Sequence, residues 1–324
     1  MAFKILVRSV ESKFLTLMRA AFEDSPVVLL CPGSAELDWS VSASVSAYIA
    51  AKSPSVVVNY SLLPVLESIQ NKSQSDDLQP RQHTSLFSIT PCADELLGVE
   101  YVAAACQNAG LVLIHISSYR AFGEDTAIEK LTDGATPSPC NELGVYLLAL
   151  EQAVSCVEHH VILRPSWMLS GEIENLLDHM IPSLLNGQPF VVSDHNYGNP
   201  LQSKFVVRAV AAVIQQVLCG AENWGVYHLH SSDTCSEAEF CDNLVRLLKA
   251  ELGTEIEMPG VAAKNDSRKL MSPNANLQGR RCTDDFGIQL PSWRNGLKKL
   301  VRTHLERSGY LEKKVLEKIT DLNG

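Results

Sequence analysis

The chain has 324 residues, 46% of them hydrophobic and 20% charged, and its 37 acidic residues outnumber its 27 lysines and arginines to give a formal net charge of -10. That balance argues against a broad nucleic-acid footprint and against docking on an anionic membrane surface, since both need a basic face. No apolar run is long enough to span a bilayer, and nine cysteines without a Cys-x-x-Cys pair suit reduced thiols in the cytoplasm better than a zinc or disulfide framework.

Short apolar runs alternate with longer amphipathic stretches. The sequence predicts a strand over 4–7, a helix over 12–22, a strand over 27–30, a helix over 44–52 and a strand over 55–59. A polar stretch, 71–83, reads as an exposed, mobile insertion. A helix over 99–108, a strand over 111–116, a helix over 141–158 and a strand over 160–164 follow. Continuous apolar strands between helices mark a parallel sheet covered on both faces. Beyond Trp167 the pattern loosens into helices over 172–185, 203–218 and 236–252 and strands over 189–193 and 226–229. Ser236 and Glu239 spell a capping box before the last of these helices. The segment 293–322 is charged and helical. The expected fold is α/β, a Rossmann-like doubly wound parallel sheet with a smaller C-terminal substrate-type lobe. The division is a core over 1–166, a lobe over 167–300 interwoven with the last sheet elements, and a helical tail over 301–324.

Several strings, in order, carry a resemblance. They are Ser34-Ala35-Glu36-Leu37-Asp38, Val56-Val57-Val58-Asn59, His115-Ile116-Ser117-Ser118, Leu163-Arg164-Pro165-Ser166-Trp167, Asp194 to Pro200, Gly225 to Leu229, and Phe286 to Arg294. Together they resemble the extended short-chain dehydrogenase/reductases of the dTDP-4-dehydrorhamnose reductase type. The resemblance implies an NAD(P)-binding fold, a sugar-nucleotide substrate, a glycine-rich phosphate turn after the first strand and a Tyr-x-x-x-Lys pair on a helix.

The sequence departs from that pattern where the chemistry is done. Ser9, Ser12 and Leu15 occupy the glycine positions, and no glycine precedes Gly33. Glycine permits a left-handed backbone and lets a diphosphate approach bare amides; serine and leucine do neither well. Two readings stay open: a closed strand-to-helix turn, or a phosphate gripped directly by Arg8 or Lys13, with Asn59 beside it. Anchored on Asn141, Gly144, Leu148 and Glu151, the alignment puts Leu143 and Leu147 where the family has tyrosine and lysine. Neither can move a proton. Ser118 keeps the third catalytic hydroxyl, or is an ordinary strand-end serine. Tyr146 reads as a packed tyrosine, and Tyr310 with Lys314 as a surface Tyr-x-x-x-Lys. Arg120 replaces a family residue near the cleft.

On the substrate side, Trp167, Asn175, Asp194 and His195 stand where the family builds its sugar-nucleotide pocket. Each also has a plain structural alternative, as core, cap or turn. No metal site is expected. Three functions follow. The first is a non-catalytic pseudoenzyme, a binding or regulatory protein for an unidentified protein partner or a sugar-nucleotide-like ligand, with no cofactor. The second is an NAD(P)H-dependent sugar-nucleotide reductase with an atypical site. The third is an assembly module, with a homo-oligomer possible through the terminal helix.

Overall fold

Valine, isoleucine and leucine runs that are apolar on both faces need cover on both sides, and the strands they form lie in the middle of the molecule. The computed structural model describes residues 2–9, 12–60, 93–123, 130–139, 141–169, 176–187, 191–261 and 274–312. Its strands are β1 (Phe3–Ser9), β2 (Val27–Leu30), β3 (Val56–Tyr60), β4 (Val112–Ile116), β5 (His160–Pro165), β6 (Val191–Val192), β7 (Tyr197–Gly198), β8 (Gly225–Leu229), β9 (Cys235–Ser236) and β10 (Gly260–Val261). Six of them form one parallel sheet in the order β2-β1-β3-β4-β5-β8. The chain runs from β1 outward to β2, then crosses back to β3 on the other side of β1. The carboxyl ends of β1 and β3 are therefore the switch point, where an open α/β sheet leaves a crevice for a ligand.

The helices are α1 (Ser12–Ala21), α2 (Ser42–Lys52), α3 (Ala93–Ala109), α4 (Glu142–Ser155), α5 (Leu176–Leu185), α6 (Ser203–Leu218), α7 (Glu237–Leu252), α8 (Arg281–Phe286) and α9 (Leu297–Arg307). Local chemistry sets their ends. Asn141 caps α4 by accepting from the Gly144 amide at 2.9 Å. Ser236 caps α7 by accepting from the Glu239 amide at 3.1 Å. The Glu239 carboxylate does not close a reciprocal box; it takes an Arg294 guanidinium at 2.5 Å instead. Gly253, with φ 58°, ends α7 in the left-handed conformation that glycine adopts without strain.

One hydrophobic core holds the six-stranded sheet and the helices against it, including Ile5, Val57, Ile114, Leu147 and Ile162. A second is built from Trp167, Met180, Phe240, Leu244, Trp293 and Val301, with Tyr119 and Phe122 reaching into it from the segment after β4. The later chain serves both, since β8 joins the main sheet and Phe286 of α8 packs in the first core.

Some expectations shift. Helix α3 begins at Ala93, six residues before the expected start, and carries Asp94 and Glu95 in its first turn, where acids suit the helix dipole. Of the strand expected over 189–193, the described part is β6, paired with β10; 189 and 190 lie outside the described residues. Helix α8 was not expected. In the expected terminal helical segment, α9 ends at Arg307, Gly309 at φ 72° interrupts it, 310–312 are helical again, and 313–322 lie outside the described residues. The segment 71–83, Asn175 and Lys314 lie outside the described residues.

Candidate ligand cleft at the strand ends

Parallel register places Arg8 beside Asn59 and Asn59 beside His115, so three polar side chains share one face of an otherwise apolar sheet. Arg8 donates to Asn59 Oδ1 at 3.1 Å and to both carboxylate oxygens of Glu95, on α3, at 2.8 Å. Its guanidinium also lies 5.4 Å from the centre of the Trp39 ring. Gly98 leaves it room, because a Cβ there would stand 2.6 Å from an Arg8 nitrogen. All three of Arg8, Asn59 and Glu95 are buried. The Asn59 amide nitrogen then donates to His115 Nδ1 at 2.9 Å.

One step further along the strands, a second polar row sits on the same face. Ser117 hydrogen-bonds through its amide to Leu163, next to Arg164, and Arg164 is in register with His228. Glu151 of α4 accepts from Ser117 Oγ at 2.5 Å and from Arg164 Nε and Nη2 at 2.9 and 2.5 Å. Acid from α3 answers one row and acid from α4 the other, so the desolvated arginines each meet a bidentate carboxylate.

The two histidines are neutral in this setting. Burial lowers the His115 pKa to about 4, helped by the Arg8 charge and opposed by Glu151 and Asn59. Burial and the Arg164 charge lower His228 to about 4, against Asp133 and the Leu131 carbonyl. A folded pKa below the unfolded value of about 6.5 contributes stability above that value, and the contribution is lost as pH falls toward the folded one. Stability to urea should therefore fall between about pH 6.5 and about 4, by about 3 kcal/mol for each histidine. His115→Gln should flatten the slope; an unchanged slope in that variant would count against the assignment.

The turn after β4 carries Ser118. Ser118 is buried, and its Oγ accepts from the Arg120 amide at 3.3 Å. The following turn, Tyr119–Ala121, packs on α4 at Gly144, where a Cβ would meet the Arg120 carbonyl at 2.6 Å and Pro139 at 2.8 Å. Arg120 is buried, 5.2 Å from the Tyr119 ring. On α4, Leu143 is 8% and Leu147 1% exposed, and both belong to the first core with Tyr146.

A cleft of about 780 Å³ opens beside the switch point. Arg8, Ser9, Leu15, Trp39 and Tyr60 line it, with the carboxylates of Asp38, Asp94 and Glu95. Asp38 sits at its rim and accepts from the Ser40 amide and hydroxyl, bonds that lower its pKa. Lys13 does not line this cleft. It lines a second cavity, between α1, α5, α6 and α9. The structure thus brings Arg8 and Asn59 together and separates Lys13 from them. Trp167 is fully buried against Gly198, which has no space for a Cβ. Asp194 and His195 form an exposed contact of 3.3 Å with each other.

Comparison with known proteins matches residues 93–305 to the RmlD substrate binding domain. The chain belongs to the dTDP-4-dehydrorhamnose reductase family. The reductase of Sinorhizobium fredii is 28% identical over 218 residues, covering 63% of this chain and 70% of its own. The crystal structure of the Clostridium acetobutylicum reductase superposes with a TM-score of 0.70 at 18% identity, over 93% of this chain and 99% of that one. The Bacillus anthracis reductase, solved in complex with NADP, gives 0.65 at 18% identity, over 92% and 98%. At such identity the solved structures establish the fold. The reductase-family match begins at the first residue of α3, so β1 to β3 and the turn after β1 lie outside it.

Glu95, Glu151, His115, Ser117 and Trp39 were not singled out from the sequence as site residues. The available signal was polar residues ending apolar strands, in Arg8, Asn59, His115 and Arg164 alike.

Proposed function

We propose that this chain is a non-catalytic member of the dTDP-4-dehydrorhamnose reductase family, a binding or regulatory protein from which hydride transfer has been lost. The observation that carries this reading is the Arg8–Glu95 ion pair at the switch point. A dinucleotide's diphosphate needs free positive potential or bare amides there. Among the described lining residues Arg8 is the cation, and it is already held by Glu95 and Asn59. Asp38 and Asp94 add negative charge to the same cleft. The described lining residues do not fit the dinucleotide the family implies. The buried Leu143 and Leu147 support the same reading on the proton-transfer side.

One observation favours a second reading, a reductase with an atypical site: the switch-point cleft is open, at about 780 Å³, in a fold shared with a relative solved with NADP. Thermal denaturation with NADH and NADPH separates the two. A ligand at 100 times its Kd stabilises the fold by about 2.7 kcal/mol, an easily read rise in Tm. We expect no rise with either nucleotide at about 1 mM. A saturable rise corresponding to a Kd of about 10 µM would reject the first reading in favour of the second.

A further inference from the structure

We propose that the second cavity is an anion site for a soluble phosphorylated small molecule, an assignment that holds whether or not the chain is catalytic. The cavity measures about 600 Å³ and shares no lining residue with the switch-point cleft. Its volume is in the range of small-molecule sites. It lies where α1 and the N-terminus of α6, from the first core, face α5 and α9, from the second.

Its described lining is rich in cations. Lys13, Lys204, Lys299 and Arg307 line it, in a chain of net charge -10. The one carboxylate among its described lining residues, Asp178, is met by His304 Nδ1 at 2.9 Å. Among the described residues, Lys204, Lys299 and Arg307 reach no carboxylate. Their neighbours on α9 behave differently: Lys298 and Arg302, which do not line the cavity, both reach Glu251, at 3.6 and 4.0 Å. Helix α9 therefore carries a charge-balanced face and a face whose cations are left toward the cavity. Like charges gathered around one space repel, and a bound anion relieves that repulsion.

Helix α6 reinforces the site. It is 16 residues long and starts at the cavity wall. The side chain of its N-cap residue, Gln202, makes no capping hydrogen bond, and its first turn has no acid. The Gln202 amide, the nearest available cap, is turned away to the Asn295 carbonyl at 2.9 Å. The positive end of the helix dipole then adds to the lysines. Phosphate esters and diphosphates match this combination of several cations around one cavity with the positive end of a helix. Carboxylates match it less well, having fewer acceptor oxygens for the same number of donors.

The test is calorimetric titration of the full chain with inorganic pyrophosphate and with inorganic phosphate, in a buffer free of other multivalent anions. Wild type should bind pyrophosphate saturably, with a Kd below about 1 mM. The exposed triple variant Lys204→Gln/Lys299→Gln/Arg307→Gln should weaken binding at least about tenfold. Lys298→Gln/Arg302→Gln, which removes two charges from the balanced face, should change it by less than about twofold. Should the triple variant fail to fold by circular dichroism, the three single variants carry the same comparison. No wild-type heat up to about 10 mM, or equal weakening in the two charge-removed variants, would overturn the proposal. So would capture of the protein by phosphatidate-containing vesicles with no response to pyrophosphate, since that would place the anion on a lipid.

Discussion

Glu151→Leu is expected to cost about 3–5 kcal/mol of folding free energy, and to cost more than Glu95→Leu. Both substitutions strip a carboxylate from a buried arginine. They differ in what the arginine keeps. Glu151 accepts three hydrogen bonds, two from Arg164 and one from Ser117. Without it, Arg164 is 4% exposed with the Phe122 ring at 5.0 Å and no other carboxylate among the described ion pairs. A charge left in that position has neither water nor a counter-ion. Arg8 is better placed to lose its partner, because it lines the open cleft and keeps Asn59 Oδ1 and the Trp39 face. Urea denaturation of both variants gives the comparison. Leucine at 151 paired with Arg164→Met should recover much of the loss, since the cost lies in the stranded charge rather than in the pair's own attraction. Equal losses at 95 and 151 would mean that the cleft gives Arg8 no access to solvent.

Much of the fold was legible because a buried parallel strand has a simple signature. Runs such as Val56-Val57-Val58 and Val161-Ile162-Leu163 are apolar at consecutive positions, and all are buried. The start of α3 was not legible, because its first turn is acidic and follows a polar stretch that masks the helical period. The site was less legible for a different reason. Glu95 and Glu151 sit in helices, where a glutamate ordinarily marks the solvent face. Their roles come from register: Arg8, Asn59 and His115 are separated by 51 and 56 positions in the chain and become neighbours only when the strands align. Lys13 shows the same limit. Its place just after β1 suggested the switch-point cleft, but it lines the cavity shared with α9, an element almost at the other end of the described chain. Periodicity finds elements; it does not say which helix face meets which distant helix.

The double variant Leu143→Tyr/Leu147→Lys restores the family's Tyr-x-x-x-Lys spacing on α4, and it is expected to oxidise no NADPH above background with a sugar-nucleotide substrate. A positioned acid contributes about 10²–10⁴-fold, but only to a cofactor and substrate already bound. On the proposed reading the obstacle stands on the cofactor side, in the occupied Arg8 guanidinium and the acidic wall of Asp38 and Asp94. The lysine also enters a hostile position. Leu147 is 1% exposed within the first core, and the acid one helical turn on, Glu151, is already saturated by Ser117 and Arg164. An ammonium there must compete with Arg164 or lose its proton, and either route destabilises the fold, by about 3 kcal/mol or more. Leu143→Tyr alone, at a position 8% exposed beside the Ser118 turn, should cost about 1–3 kcal/mol as an overpacked core. A stopped assay of NADPH absorbance, run beside thermal melts of the single and double variants, checks each step. Turnover in the double variant would show that the strand ends admit the dinucleotide, and would reject the cofactor-side part of the proposed reading.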